Sequence, residues 1–301
     1  MTAPLRIGLV GAGPWAHLFT APLLAAGPEC TLAAVWARRL DVATELAAQH
    51  GATAVARVEE LFDTCDAVAF AVPPDVQADL GARAAEAGRA VLLEKPVGMT
   101  LADAERLADA IGTAGVVSQV ILTNRYLPSM RTFLGNAASF IAHGGRSTFI
   151  GGGAIPGNYF GTPWRLEHGA LLDLGPHALD AIDAALGTIV DVHAAGDNLG
   201  VVSLTCRHES GVVSQVMLSA TTPLDPSGLV VELFGPQGGL TFDTTAGDAA
   251  SRGAGFRTAM RTLAAEFADA VRTGVPHQLD VQRGLHLQRL MESASAQLQR
   301  G

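Results

Sequence analysis

The sequence of 301 residues has little charge, few aromatic side chains and only three cysteines. With 16% of its residues charged and 49% hydrophobic, it is not an intrinsically disordered chain, because such chains carry dense charge and too little apolar surface to collapse. Basic residues are in deficit, 20 against 29 acidic ones, and the net charge of −9 opposes association with nucleic acid and with anionic membranes. No run approaches the roughly 18 consecutive apolar residues of a membrane span. The start, Met1-Thr2-Ala3-Pro4-Leu5-Arg6, passes into a strand-like stretch without the basic and then apolar order of a secretory signal, so a cytoplasmic location is expected. Cys30, Cys65 and Cys206 are odd in number, far apart and outside any CxxC spacing. They support neither a disulfide framework nor a thiolate zinc site; each is expected to be buried and structural, and no metal site is expected.

Lysine is scarcest of all. Lys95 stands alone among 20 basic side chains, the other 19 being arginine. Base composition of a gene can produce that bias, so the singularity marks a place to look and assigns no role. Glycine and proline are plentiful, 34 and 15 residues, which predicts many tight turns without a fibrous period. At about 100–200 residues per domain, the length suits two domains.

The first half alternates strands and helices. Residues 5–10 (LRIGLV) form a continuous apolar run suited to a parallel strand buried on both faces, and 32–36, 67–72, 90–94 and 115–122 repeat it. Between them lie helical stretches, one over 41–49 that stops at Gly51, an Ala-rich one over 75–88, and one opened by Thr100 and Asp103 as a capping box. This spacing implies right-handed βαβ units and a doubly wound parallel sheet, hence an α/β class. The second half differs. Residues 200–222 and 227–245 read as antiparallel hairpins closed by ESG and GPQGG turns, 169–187 is the most helix-like segment between them and the first half, and 256–299 holds two helices broken at TGVP. A boundary is placed near residue 122, giving 1–122 as a dinucleotide-binding domain and 123–301 as a domain for substrate and oligomerisation.

The segment VGAGPWA (10–16) places GxGxxA between a strand and a helix, the context in which that pattern carries meaning. Gly11 permits the tight turn, Gly13 lets the backbone approach a pyrophosphate, and Ala16 allows close packing of helix on strand. Pro14 fits a first helical position, and the helix N-terminus then faces the anion. The second strand ends Trp36-Ala37-Arg38-Arg39, without the acid that bonds the ribose of NAD. Arg38 or Arg39 can instead hold a 2′-phosphate, so NADP is the expected cofactor with NAD as the alternative; solvated arginines are the plainer reading.

Glu94-Lys95-Pro96 sits at the C-terminal end of the strand 90–94, on the sheet edge where open α/β folds bind ligands. A lysine there can move a proton or hold an alkoxide by its charge. Asp173 and His177 are four apart, so on a helix both project from one face, with Pro176 between them as an interruption. Alone, such a pair is more often a core histidine with a capping aspartate.

Taken in order, GLVGAGPWA, AVPPDVQADL, GRAVLLEKP, NRYLP, TPWRLEHGALLDLGPHALD and AEFADAVRTGVP resemble the successive motifs of the glucose-fructose oxidoreductase and inositol dehydrogenase (Gfo/Idh/MocA) family, across nearly the whole chain. The EKP tripeptide and the D-x-G-x-H segment are the specific parts. The resemblance implies an N-terminal Rossmann domain, a C-terminal α+β domain with a large, mostly antiparallel open sheet, and hydride transfer between a pyridine nucleotide and a sugar, polyol or related substrate. It implies Lys95, Asp173 and His177 as catalytic residues. Trp15, Pro73, Glu94 and Asn124 fall within its nucleotide-binding motifs, and Trp164 and Arg165 border the site. It also implies a homodimer or higher homo-oligomer through the open sheet. Two departures stand out: Gln77 occupies a place where the family often has histidine, and His168-Gly169-Ala170 replaces a glycine run. The chain is also short for the family, consistent with a trimmed substrate loop. A redox-assisted glycosidase and a non-catalytic nucleotide-binding protein are the alternatives.

Overall fold

The computed structural model describes residues 3–158 and 161–298. The chain divides into two compact units, Met1–Ile121 with Met260–His286, and Leu122–Ala259 with Leu287–Gly301. A single cut near residue 122 was expected; the observed division crosses the chain three times, because parts of the last two helices return to the first unit.

The first unit is built on six parallel strands in the order β3-β2-β1-β4-β5-β6. These are β1 (Leu5–Val10), β2 (Cys30–Trp36), β3 (Thr53–Ala54), β4 (Ala67–Phe70), β5 (Ala90–Leu93) and β6 (Ser118–Val120). The apolar runs become β1, β4 and β5 because both faces are covered by helices: Ile7, Leu9, Val68, Phe70 and Leu92 are fully buried. The covering helices are α1 (Ala21–Ala25), α2 (Leu40–Gln49), α3 (Val58–Thr64), α4 (Pro74–Glu86) and α5 (Leu101–Ala114). Thr100 caps α5 as expected: its hydroxyl accepts from Asp103 N–H while Asp103 bonds back to Thr100 N–H, and Gly115 ends the helix in the left-handed region. The sixth strand is shorter than the run 115–122, and its outer edge is covered: Val120 N–H donates to Leu279 O (2.6 Å) and Val281 N–H to Ser118 Oγ (3.0 Å). β1 and β4 are neighbours whose chain connections run to opposite sides of the sheet, the switch point at which doubly wound sheets bind ligands.

The second unit holds six strands in the order β12-β11-β7-β10-β9-β8, with β7 at Gly144–Ile150, β8 at Ile189–Gly196, β9 at Val202–His208, β10 at Val213–Ser219, β11 at Gly228–Gly235 and β12 at Gly238–Asp243. The hairpins β9/β10 and β11/β12 form as the ESG and GPQGG turns predict; β7 and β10 pair in parallel, which makes the sheet mixed but mostly antiparallel. Strict alternation in β9 and β10 buries Val202, Leu204, Cys206, Val216 and Leu218 on one face, which packs against α8 (Gly175–Leu186). His208 lies fully buried among them, bonded to Gly187 O (2.6 Å) and Ser214 Oγ (2.8 Å), a core histidine with both ring nitrogens satisfied. The other helices that follow β6 are α6 (Pro128–Ala137), α7 (Pro163–Asp173), α9 (Ala249–Thr273) and α10 (Val281–Leu298). The expected helix end at Gln299 lies outside the described residues. The three cysteines are buried and free, and among the described residues no helix is long and apolar enough to cross a membrane.

Candidate functional site

In the first unit the chemistry-bearing residues gather along the C-terminal edge of the parallel sheet. Leaving β1, Gly11 takes φ +114°, and a Cβ there would stand 2.4 Å from Ala71 O in the segment that leaves β4. Only glycine fits, because the two connections press together at the switch point. A Cβ at Gly13 would meet nothing within 4 Å, so the backbone there borders open space. The helix begins at Pro14, continues through a π-helical turn, Ala16–Thr20, and buries Ala16 completely, as close helix–strand packing requires. The π turn has no counterpart in the sequence reading; such turns recur at functional sites.

Trp15 stacks on Phe19 with ring centroids 4.6 Å apart, and its Nε1–H donates to Glu94 Oε1 at 2.6 Å. The glycine turn is thereby tied to the segment after β5 that carries Lys95, which is half-buried. Pro73, exposed, is the N-cap residue of α4 after β4. Beyond the end of β2, Ala37 is half-buried and Arg38 exposed; Arg39 is the N-cap residue of α2 and pairs with Asp41 at 3.3 Å, an exposed ion pair of little energetic weight.

In the second unit, the helical segment carrying Asp173 and His177 is not one helix. α7 ends at Asp173 and α8 begins at Gly175, with Leu174 between them. Pro176 causes the break, since it lacks the N–H for the bond to residue 172 and its ring crowds that carbonyl. The expectation that both side chains project from one regular helical face is therefore corrected: Asp173 closes one helix and His177 lies in the first turn of the next. A second irregularity precedes them. Gly169 takes φ +67°, interrupting α7, and a Cβ there would lie 2.1 Å from Asn198 O. Asn198, in the turn between β8 and β9, serves as a cap supplied from elsewhere in the chain. Its carbonyl accepts from Ala170 N–H (3.0 Å), its Oδ1 from Leu171 N–H (2.8 Å), and its Nδ2 donates to His168 O.

The buried carboxylate of Asp173 pairs with Arg165 Nε at 3.1 Å, and the guanidinium lies over the Trp164 ring, 4.5 Å from its centroid. Trp164, Arg165 and Asp173 thus form one cluster, a link through Arg165 that spacing alone did not reveal. The His177 ring lies 6.0 Å from that of Phe149 on β7. Asn124 belongs to a 3-10 turn, Thr123–Tyr126, anchored to α8 by Arg125, whose Nη1 reaches both oxygens of Asp180 at 3.0 and 3.2 Å. Lys95 belongs to the first unit, and Asp173 and His177 to the second.

Comparison with known proteins follows this division. Residues 5–122 match the family model for an oxidoreductase family with an NAD-binding Rossmann fold, and residues 141–241 match the GFO/IDH/MocA C-terminal domain. A dTDP-3,4-didehydro-2,6-dideoxy-alpha-D-glucose 3-reductase of Streptomyces antibioticus is 32% identical over 251 residues, covering 76% of this chain and 68% of the relative. The enzyme of the same name from Streptomyces violaceoruber is 29% identical over 267 residues, covering 79% and 72%. The crystal structure of GenD2 from gentamicin A biosynthesis, in complex with NAD, is similar with a TM-score of 0.85 and 25% identity, covering 99% of this chain and 95% of that one.

Proposed function

The chain belongs to the GFO/IDH/MocA oxidoreductase family, and from that membership we propose that it exchanges a hydride between NADP(H) and a carbinol or ketone carbon of a sugar, polyol or related small molecule. The observation that carries the reading is the cradle after β1: a turn that only glycine can make at Gly11, open space beside Gly13, and a helix N-terminus directly following. These features fit a dinucleotide pyrophosphate, whose charge the helix end favours. When bound, the nicotinamide supplies or accepts the hydride. In this reading His177 exchanges the proton of the substrate hydroxyl, and Asp173, with Arg165 at its carboxylate, orients the imidazole. Lys95 acts as acid, base or electrostatic clamp. Trp15, Pro73, Glu94, Asn124, Trp164 and Arg165 complete the assigned nucleotide surroundings. The sugar class draws support from the relatives, whose names are those of dTDP-sugar reductases.

The end of β2 favours NADP over NAD. Ala37 offers the ribose no carboxylate, and Arg38 is exposed and forms no ion pair among the described residues, whereas Arg39 pairs with Asp41. One charge-assisted hydrogen bond contributes roughly 1.5–3 kcal/mol, so NADP is expected to bind about 10- to 150-fold tighter. The test titrates both nucleotides against the parent, Arg38→Ala and Arg39→Ala. Arg38→Ala is expected to erase most of the preference and leave NAD affinity nearly unchanged; equal affinities in the parent overturn the NADP assignment. A screen of sugars and polyols then identifies the substrate, and turnover without net change in nicotinamide absorbance points instead to redox-assisted glycoside cleavage.

The proposal extends to assembly and location. The outer face of the second unit's sheet leaves Val213 48%, Met217 42% and Phe234 45% exposed, apolar surface suited to a second copy of the chain. Light scattering at micromolar concentration should give a dimer mass or higher. Three free, buried thiols suit the cytoplasm.

A further inference from the structure

Gln77 lies on α4 and is 1% exposed. A buried carboxamide must have its donors and its acceptor satisfied, and this one is satisfied by main chain alone. Its Oε1 accepts from Glu94 N–H at 2.7 Å, while its Nε2–H₂ donates to Glu94 O at 2.7 Å and to Pro96 O at 3.2 Å. These three bonds fall on the residues immediately before and after Lys95.

The placement answers a definite need. Val91 and Leu93 turn their backbone groups toward β6, so those of Glu94 point to the β4 side, where the paired register has already ended at Ala69 and Leu92 and no strand stands beside them. Pro96 has no N–H and cannot extend the ladder. The carboxamide takes over the role of the missing strand for this one dipeptide step. The side chain of Glu94 is held as well, by Trp15 Nε1.

We propose that Gln77 is a positioning residue: it fixes the backbone on both sides of Lys95 and so sets where the ε-amine stands. The inference rests on the reading above only in taking Lys95 to act in the reaction. The backbone clamp itself can be tested without substrate, because Lys95 is the only lysine of the chain.

Nucleotide-free protein carrying ¹³C at the lysine ε-carbon gives one lysine resonance, recorded across a pH titration for the parent and for Gln77→Met, which fills a similar volume without hydrogen-bonding groups. The expected result is a resonance displaced by more than its line width at each pH. Gln77→His, which retains one ring donor and one ring acceptor, should bring the resonance back toward the parent. Ser214→Ala, which removes the bond to the buried His208 in the second unit, controls for general loss of stability and should leave the resonance in place. A Gln77→Met resonance that superimposes on the parent at every pH overturns the proposal. Should Gln77→Met not fold, Gln77→Glu takes its place: it keeps the acceptor for Glu94 N–H and loses the donor to both carbonyls, and superposition there overturns the proposal equally.

On the substrate found by the screen, turnover of Gln77→Met should fall about 10²-fold, the scale of an ångström-sized misplacement. If Lys95→Ala keeps full turnover while Gln77→Met still moves the resonance, the catalytic reading of Lys95 fails and the backbone clamp stands.

Discussion

Lys95 and His177 are assigned proton-handling roles, and truncation separates such roles from packing. Lys95→Ala and His177→Ala should each lose on the order of 10²–10⁴ in turnover, the usual contribution of a positioned acid or base. Both residues are half-buried rather than part of the core, so melting temperatures should stay near that of the parent. Near-normal turnover in either variant removes that residue from the mechanism. Gly11 and Ala16 were legible at this scale because each reports a steric fact: one position where a Cβ meets a carbonyl, one where helix and strand touch. Gln77 and Asn198 were not, since their function is to satisfy backbone groups 17 and about 30 residues away, and residue type gives no sign of such partners.

Strands and helices of the first unit follow from periodicity. A run such as AVAFAV has one comfortable place, between two helical layers, and the Thr100/Asp103 cap reads directly. The parallel pairing of β7 with β10 was not legible, because it joins strands more than 60 residues apart and depends on the rest of the sheet. The divided helix at 169–177 was half legible: Pro176 announced the interruption, while the left-handed turn at Gly169 becomes necessary only once Asn198 is seen against it. Gly169→Ala should therefore destabilise the protein by at least about 1–3 kcal/mol, since it meets both an unfavourable φ and a backbone collision. Asn198→Ala should be milder, about 1 kcal/mol, because the backbone acceptor for Ala170 survives. Denaturant unfolding of the two variants measures the difference, and equal effects would mean that the side chain and not the backbone approach dominates.

At the scale of the whole molecule, the two expected sheets are present, and the three thiols report on both units. Burial pushes Cys30 and Cys65 up to about 11 and Cys206 to about 12, from an ordinary value of 9.0. Because the folded values lie above the unfolded one, the unfolded chain loses these protons first as pH rises. Their contribution to stability is whole below about pH 9 and is lost as pH climbs through 11 and 12. A disulfide reagent at pH 8 should find no reactive thiol in the native protein and three in denaturant; one fast-reacting native thiol would show that a cysteine is exposed.

The return of Met260–His286 to the first unit bears on how the protein is made. The ribosome releases the nucleotide-binding strands well before their last structural partners exist. Until then Cys30 lacks its bond to Ala264 O, Gln119 lacks Leu263 O, and the edge of β6 is open where Leu279 and Val281 will lie. An uncovered strand edge is a template for pairing with another chain. A fragment ending at residue 121 should thus be sticky and poorly soluble however well its glycine turn is formed, and grafting the nucleotide-binding unit onto another protein would require carrying the tail of the chain along with it.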